Sequence, residues 1–257
     1  MNKANDAERA TLRFFLSITE AGRSLFRAFL NGARTPERFA KARSKVRAFA
    51  NTEAAKIEAD VSRMPEPQRT QLTKACRAGC AHCCYFRVGV EAHEMAAIGH
   101  HIHHHFSEEE RAALRKRTAA YREQMPPLTV DKLLGRAPCP FLVDDQCSIY
   151  EIRPFVCQRH HSVNLQACEK SRFDPKNRPN IPFVMPHIHM VSHLMLGMRK
   201  EILDAGLDTS IVELGRAVEA VLDHPDAFDK YFAGEDIFAE SRMEVPRPVE
   251  IARPEDV

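Results

Sequence analysis

All eight cysteines of this 257-residue chain fall between Cys76 and Cys168, and that crowding constrains the fold more than any other feature. Random placement would put about three of the eight in so short a window. The opening residues, Met1 to Arg9, contain no apolar run of the kind an export signal needs. The expected compartment is therefore the reducing cytoplasm, where dense cysteine reads as metal ligation before disulfides. No stretch reaches the roughly 18 apolar residues that a membrane-spanning helix requires.

The first cysteine cluster is Cys76-x3-Cys80-x2-Cys83-Cys84. Gaps of two or three residues let thiolates reach one ion from a single tight turn, and Gly79 supplies a permissive backbone. Thiolates are soft donors that select zinc, copper(I) or iron–sulfur clusters over hard cations. Adjacent side chains tend to point apart, so Cys83 and Cys84 are not expected to share one ion; one of them would serve a second metal, a second iron, or none. A vicinal disulfide is strained and is not expected. The second cluster places Cys139, Cys147 and Cys157 among apolar residues, with Cys168 trailing. Arg153 would offset thiolate charge or sit in a surface ion pair, and Cys168 is a ligand or a buried free thiol.

The run Cys139-Pro140-Phe141-Leu142, followed by Cys147-Ser148-Ile149-Tyr150-Glu151-x-Arg153-Pro154-x-x-Cys157, resembles a bacterial cysteine-cluster family. That family is described as a zinc- or iron-chelating domain of the CxxCxxCC type and also includes flagellin lysine N-methylases. The resemblance covers about residues 76–160. It implies Cys76, Cys80, Cys83, Cys84, Cys139, Cys147 and Cys157 as metal-site residues, and leaves Cys168 outside the matched part. Two departures stand out: the first gap is three residues instead of two, and Gln158 replaces the arginine that usually follows the last cysteine. His160 and His161 then stand where they could join the site or its surroundings.

Cys76-x3-Cys80-x2-Cys83 also spells a radical S-adenosylmethionine signature, but the remaining chain reads as helical where that chemistry needs a large α/β barrel. The expected cofactor is iron, as an iron–sulfur cluster, with zinc as the alternative and S-adenosylmethionine as a co-substrate if the methylase likeness extends to chemistry. The corresponding functions are a metal-dependent transferase or oxidoreductase, a structural zinc module that docks a protein partner, and metal handling.

Around this module the sequence reads as mainly α. An amphipathic helix is expected over 6–31, with Phe15, Ile18, Gly22, Leu25, Phe26 and Phe29 on one face. Thr35-Pro36 opens a second, with a stripe of Phe39, Ala42, Val46, Phe49, Ile57 and Val61 that packs within the chain or forms a dimer seam. Helices are also expected over 92–106, over 107–124 with a Ser107–Glu110 capping box, over 189–203, over 209–222 and over 226–232. Asp144-Asp145-Gln146 suggests a small β-hairpin. The expected organisation is a helical hairpin (1–66), a cysteine-cluster module with loops (67–175), C-terminal helices packed on it (176–235) and an extended Pro-rich tail (236–257).

Ten of the thirteen histidines fall in three groups. In His100–His105, the pairs His100/His104 and His101/His105 lie one turn apart and could chelate a metal or merely complement the helix dipole. His187, His189 and His193 lack a third ligand and read as packed helix residues. His160 and His161 lie three and four residues from Cys157. Residues 1–75 carry 15 Lys/Arg against 8 Asp/Glu, which suits a solvated helical face better than an acidic partner. A protein partner or substrate is consistent with the pattern, nucleic acid is not indicated, and the oligomeric state is left open.

Overall fold

The computed structural model describes residues 3–77, 79–128, 135–177 and 179–244. The expected first two helices form as α1 (Lys3–Leu30) and α2 (Pro36–Ser62), joined by a short turn. The Thr35 side chain accepts from the Arg38 N–H, which satisfies one of the orphan donors at the start of α2. A five-residue helix, α3 (Gln68–Leu72), precedes the cysteines. Then come β1 (Gly89–Glu91), α4 (Ala92–His105) and α5 (Glu108–Gln124). The capping box of α5 is complete: Ser107 N donates to Glu110 and Glu110 N donates back to the Ser107 hydroxyl.

The hairpin β2 (Leu142–Val143) and β3 (Gln146–Cys147) turns at Asp144 and Asp145, which have φ of 49° and 58°. Two successive positive φ values are what a tight hairpin turn requires, and aspartate tolerates them. Two short helices follow, α6 (Phe155–Arg159) and α7 (Leu165–Phe173), and then the long α8 (Met185–Asp204).

One expectation is corrected in the next segment. Residues 209–222 are not a single helix: Ile211–Glu213 is a strand, β4, antiparallel to β1 with Val90 opposite Val212, and α9 (Leu214–Asp223) starts only after it. The β-branched Ile211-Val212 pair suits an extended chain. Glu213 then turns the chain into the helix, its carboxylate accepting from the N–H groups of Gly215 and Arg216. Finally α10 (Ala227–Phe232) packs on α4. The expected extended tail starts later than 236, because Phe238 is buried and Met243 N donates to Ile211 O at 2.8 Å. The Pro-rich residues 245–257 lie outside the described residues.

A single hydrophobic core draws side chains from Ile18 to Phe238, so the N-terminal helices, α4, α8, α9 and α10 share it. The principal contact of α1 is α8 rather than α2. Gly22 lies against the backbone of Leu194, and Gly197 against the backbone of Thr19 and Arg23. Missing side chains at these two points let the helices approach more closely than side chains would allow. Arg23 and Arg27 then clamp Glu201 across the pair at 2.7 and 2.9 Å. His189 and His193 belong to the same contact, flanking Phe15, with His193 stacked at 4.6 Å and its Nδ1 paired with the Thr19 hydroxyl. A β-carbon at Gly197 would drive into the Thr19 carbonyl. Gly197→Ala should therefore lower the free energy of unfolding by about 1–3 kcal/mol, read from the urea midpoint.

His93 is 1% exposed on α4, its ring near Phe26 and Phe39 and neither nitrogen hydrogen-bonded. Burial pushes its pKa down to about 3. The unfolded chain binds a proton there below pH ~6.5 while the folded chain does not, so stability falls as pH drops through 6.5 toward 3. This group alone should remove about 2 kcal/mol between pH 7 and pH 5. The His93→Phe variant should be at least as stable at pH 7 and lose correspondingly less on acidification, measured by denaturant titrations at the two pH values.

Candidate metal centre

Three segments bring the cysteines together through their backbones. The first holds Cys76, Cys80, Cys83 and Cys84. Cys80 N donates to Arg77 O across a turn in which Gly79 takes φ 78°, and residues 82–85 make a turn of 310-helix. The second holds Cys139 and Cys147. Cys139 N donates to Cys84 O at 2.8 Å, Ala137 N to Tyr85 O at 3.2 Å, and the β2–β3 register sets Cys147 opposite Leu142. The third holds Cys157, one turn into α6, and Cys168 on α7. It is tied to the first by Ala75 N donating to Ser162 O at 2.7 Å and by Ser162 N donating to the Cys76 sulfur at 3.3 Å.

All eight cysteines are free thiols. Burial pushes up the pKa values of Cys76, Cys139, Cys147, Cys157 and Cys168, and neighbouring thiols add to the shift in every case. The pattern of those neighbours defines two groups. Cys76, Cys80 and Cys168 act on one another's surroundings, as do Cys139, Cys147 and Cys157. Cys83 belongs to each: it raises Cys76 and Cys168 in one, and Cys147 and Cys157 in the other. Its own pKa is raised above all by the Cys84 thiol, which lies against it.

Arg153 stands among these thiols, its charge favouring the thiolates of Cys83, Cys147 and Cys157 while its guanidinium packs over Tyr150 at 4.3 Å. His161 stacks on His187 at 4.0 Å, and His160 lies beside Phe183. Burial holds His161 down at about 3 and His160 at about 4, so the two imidazoles are neutral at pH 7. His82 Nδ1 is buried with no hydrogen-bond partner, a polar atom that the sequence pattern did not single out. Ser162, which contacts Cys76 and Cys168, was equally invisible, since a lone serine carries no ligand signal.

As the side chains stand, no three His, Cys, Asp or Glu residues among the described ones close onto a common metal position. The donor set nevertheless fits a soft cation. It offers eight thiols, mutual repulsion that a cation would relieve, and an arginine to balance excess thiolate charge. The residues that would hold it are Cys76, Cys80, Cys83, Cys84, Cys139, Cys147, Cys157 and Cys168, with His82, His160, His161 and Arg153 around them.

What positions the third segment comes from α2 and α4, which carry no cysteine. Glu94 on α4 accepts from the Phe155 N–H at 3.0 Å, at the start of α6, and faces Arg43 of α2 at 3.4 Å, with side-chain exposures of 1% and 8%. Arg43 in turn donates to the Arg153 carbonyl at 2.5 Å and lies over the Phe155 ring. Burial pushes the Glu94 pKa up and that of Arg43 down. Removing one partner of a buried pair strands the other, so Glu94→Ala should destabilise by about 3–5 kcal/mol, whereas Arg43→Met with Glu94→Leu should recover much of that loss. Denaturant titrations of the single and double variants, with hydrogen exchange at the Phe155 amide, measure the effect.

Residues 75–178 match the family model CxxCxxCC, described as "Putative zinc- or iron-chelating domain". The matched segment contains all eight cysteines, Arg153, His160 and His161. The chain is thus a mainly helical protein in which residues 75–178 are similar to a domain described as zinc- or iron-chelating. The helices on either side of it fall outside the match. No curated protein and no solved structure matches the chain. No helix among the described residues is long and apolar enough to cross a membrane.

Proposed function

We propose that the eight cysteines hold one polynuclear thiolate centre, with iron in an iron–sulfur cluster, on a module spanning about residues 67–175. The N-terminal hairpin and the C-terminal helices serve as its frame. The observation that carries this reading is that backbone hydrogen bonds tie the three cysteine-bearing segments together, Cys139 N to Cys84 O and Ala75 N to Ser162 O, with Cys83 raising thiols in both groups. Two independent tetrahedral zinc sites would use four thiols each and need no shared one. A shared thiol between two groups suits a single unit with more than one metal atom. Eight free thiols are also in keeping with a reducing compartment such as the cytoplasm.

A bound cluster of this kind would supply electron transfer or Lewis acidity. The chain's own residues set its surroundings. Arg153 balances charge, and the neutral His160 and His161 stand by as ligands or proton carriers. A hollow of about 130 Å³, lined among others by Arg77, Cys80, His82, Asp145 and Arg172, opens at the Cys80 edge. Its size suits an ion or a very small molecule better than a nucleoside-bearing methyl donor, which favours redox or small-ligand chemistry over S-adenosylmethionine-dependent methylation.

The test is metal and acid-labile sulfide per chain, with the visible spectrum, on protein purified without oxygen. Brown protein with iron and sulfide in near-equal amounts is the expected outcome. Colourless protein with two zinc ions would replace this reading by a structural zinc module. Cys83→Ser should lose more metal than Cys84→Ser, since only Cys83 reaches both groups; equal loss would remove its bridging role.

A further inference from the structure

The histidines at the end of α4 take no part in the thiolate site. His103 is committed to the Val221 carbonyl at 2.8 Å. The other four stand as two pairs one helical turn apart, His100 with His104 at 4.0 Å between ring centroids and His101 with His105 at 4.5 Å. Their surroundings differ. His101 turns its edge to Phe106 and feels the positive charge of Arg43, which disfavours a cation there. His100 rests near Phe228 of α10 and feels Asp229 of the same helix. Glu37, in the first turn of α2, acts on His100 and on His104 alike. Three helices therefore converge so that one histidine pair, and not the other, has carboxylates beside it.

We propose that His100, His104 and Glu37 form a second metal site, which takes a single borderline divalent cation such as zinc, nickel(II) or copper(II). Two imidazoles at i and i+4 present their nitrogens on one helix face, and a carboxylate oxygen from a neighbouring helix supplies the third donor. The three donors are not closed onto one point, but neither are the cysteines of the thiolate domain. His104 and Glu37 are exposed, and the Glu37 carboxylate, held by its own backbone N–H and the Thr35 hydroxyl, would exchange those bonds for the cation, while His100 packs near Phe228. The site differs from the thiolate centre in donor chemistry as well as place, so the protein would handle two kinds of metal.

Cobalt(II) separates the two in one titration of the full chain. Thiolate-bound cobalt gives intense ultraviolet charge-transfer bands; imidazole- and carboxylate-bound cobalt gives only weak visible ones. The expected result is one further ion, bound without added charge-transfer intensity, with affinity reduced about tenfold or more in His104→Ala. Glu37→Gln should weaken it, and His105→Ala should leave it unchanged. Uptake that ends with the charge-transfer band, an extra ion that survives His104→Ala, or one lost in His105→Ala would each overturn the proposal. His104 and Glu37 are surface residues, and a melting curve shows that their variants are folded. Cys83→Ser should weaken the thiolate bands and spare the second ion, so failure at one centre is distinguishable from failure at the other.

Discussion

The buried pair of Arg43 and Glu94 is the joint on which the rest of the structure depends. It is unusual for a carboxylate 1% exposed to face a single guanidinium, because burying two charges costs several kcal/mol each unless further hydrogen bonds compensate. Here those bonds come from the cysteine domain itself: the Phe155 N–H to Glu94, and the Arg153 carbonyl to Arg43. The pair thus links α2 and α4 to the Pro154 turn, which aims Cys157 and Arg153 at the other thiols. Of the two residues, Arg43 lies outside the matched segment 75–178 and Glu94 inside it, between the two cysteine clusters.

The frame that supports this joint is a helix assembly held by close backbone approach. Gly22 and Gly197 bring α1 and α8 together, and Arg23, Arg27 and Glu201 close the seam with charge. On the other side, β1 and β4 splice the start of α4 to the start of α9, where the Glu213 carboxylate also receives the Tyr121 hydroxyl. Gly215 lies directly under that tyrosine ring. These contacts fix α4 at each end, and α4 carries Glu94 at one end and the histidine pairs at the other. A single helix therefore joins the thiolate region to the imidazole face.

In the cysteine region the electrostatics favour a cation. Cys76, Cys83, Cys139, Cys147, Cys157 and Cys168 are pushed toward the neutral form by burial and by neighbouring thiols, and a soft metal reverses that balance by accepting the charge. One arginine among the thiols limits how much negative charge the centre must carry.

Much of this was legible in the sequence. The capping signals at Thr35 and Ser107, the stripe on α2 and the two aspartates of the β2–β3 turn are local, so they read directly as helix starts, a buried face and a hairpin. The cysteine spacing, with its Arg-Pro string, named the domain. What it could not show depended on residues far apart in the chain. β4 was taken for helix, because its three residues are extended only through pairing with β1. Arg43, Glu94 and Glu37 looked like ordinary helix charges until packing placed them beside the Pro154 turn and the His100 pair. Local signals determined the elements and the kind of metal chemistry. Only the tertiary structure decided which charges were buried, which thiols met and which histidines gained a carboxylate, because burial and long-range pairing are properties of the assembled chain.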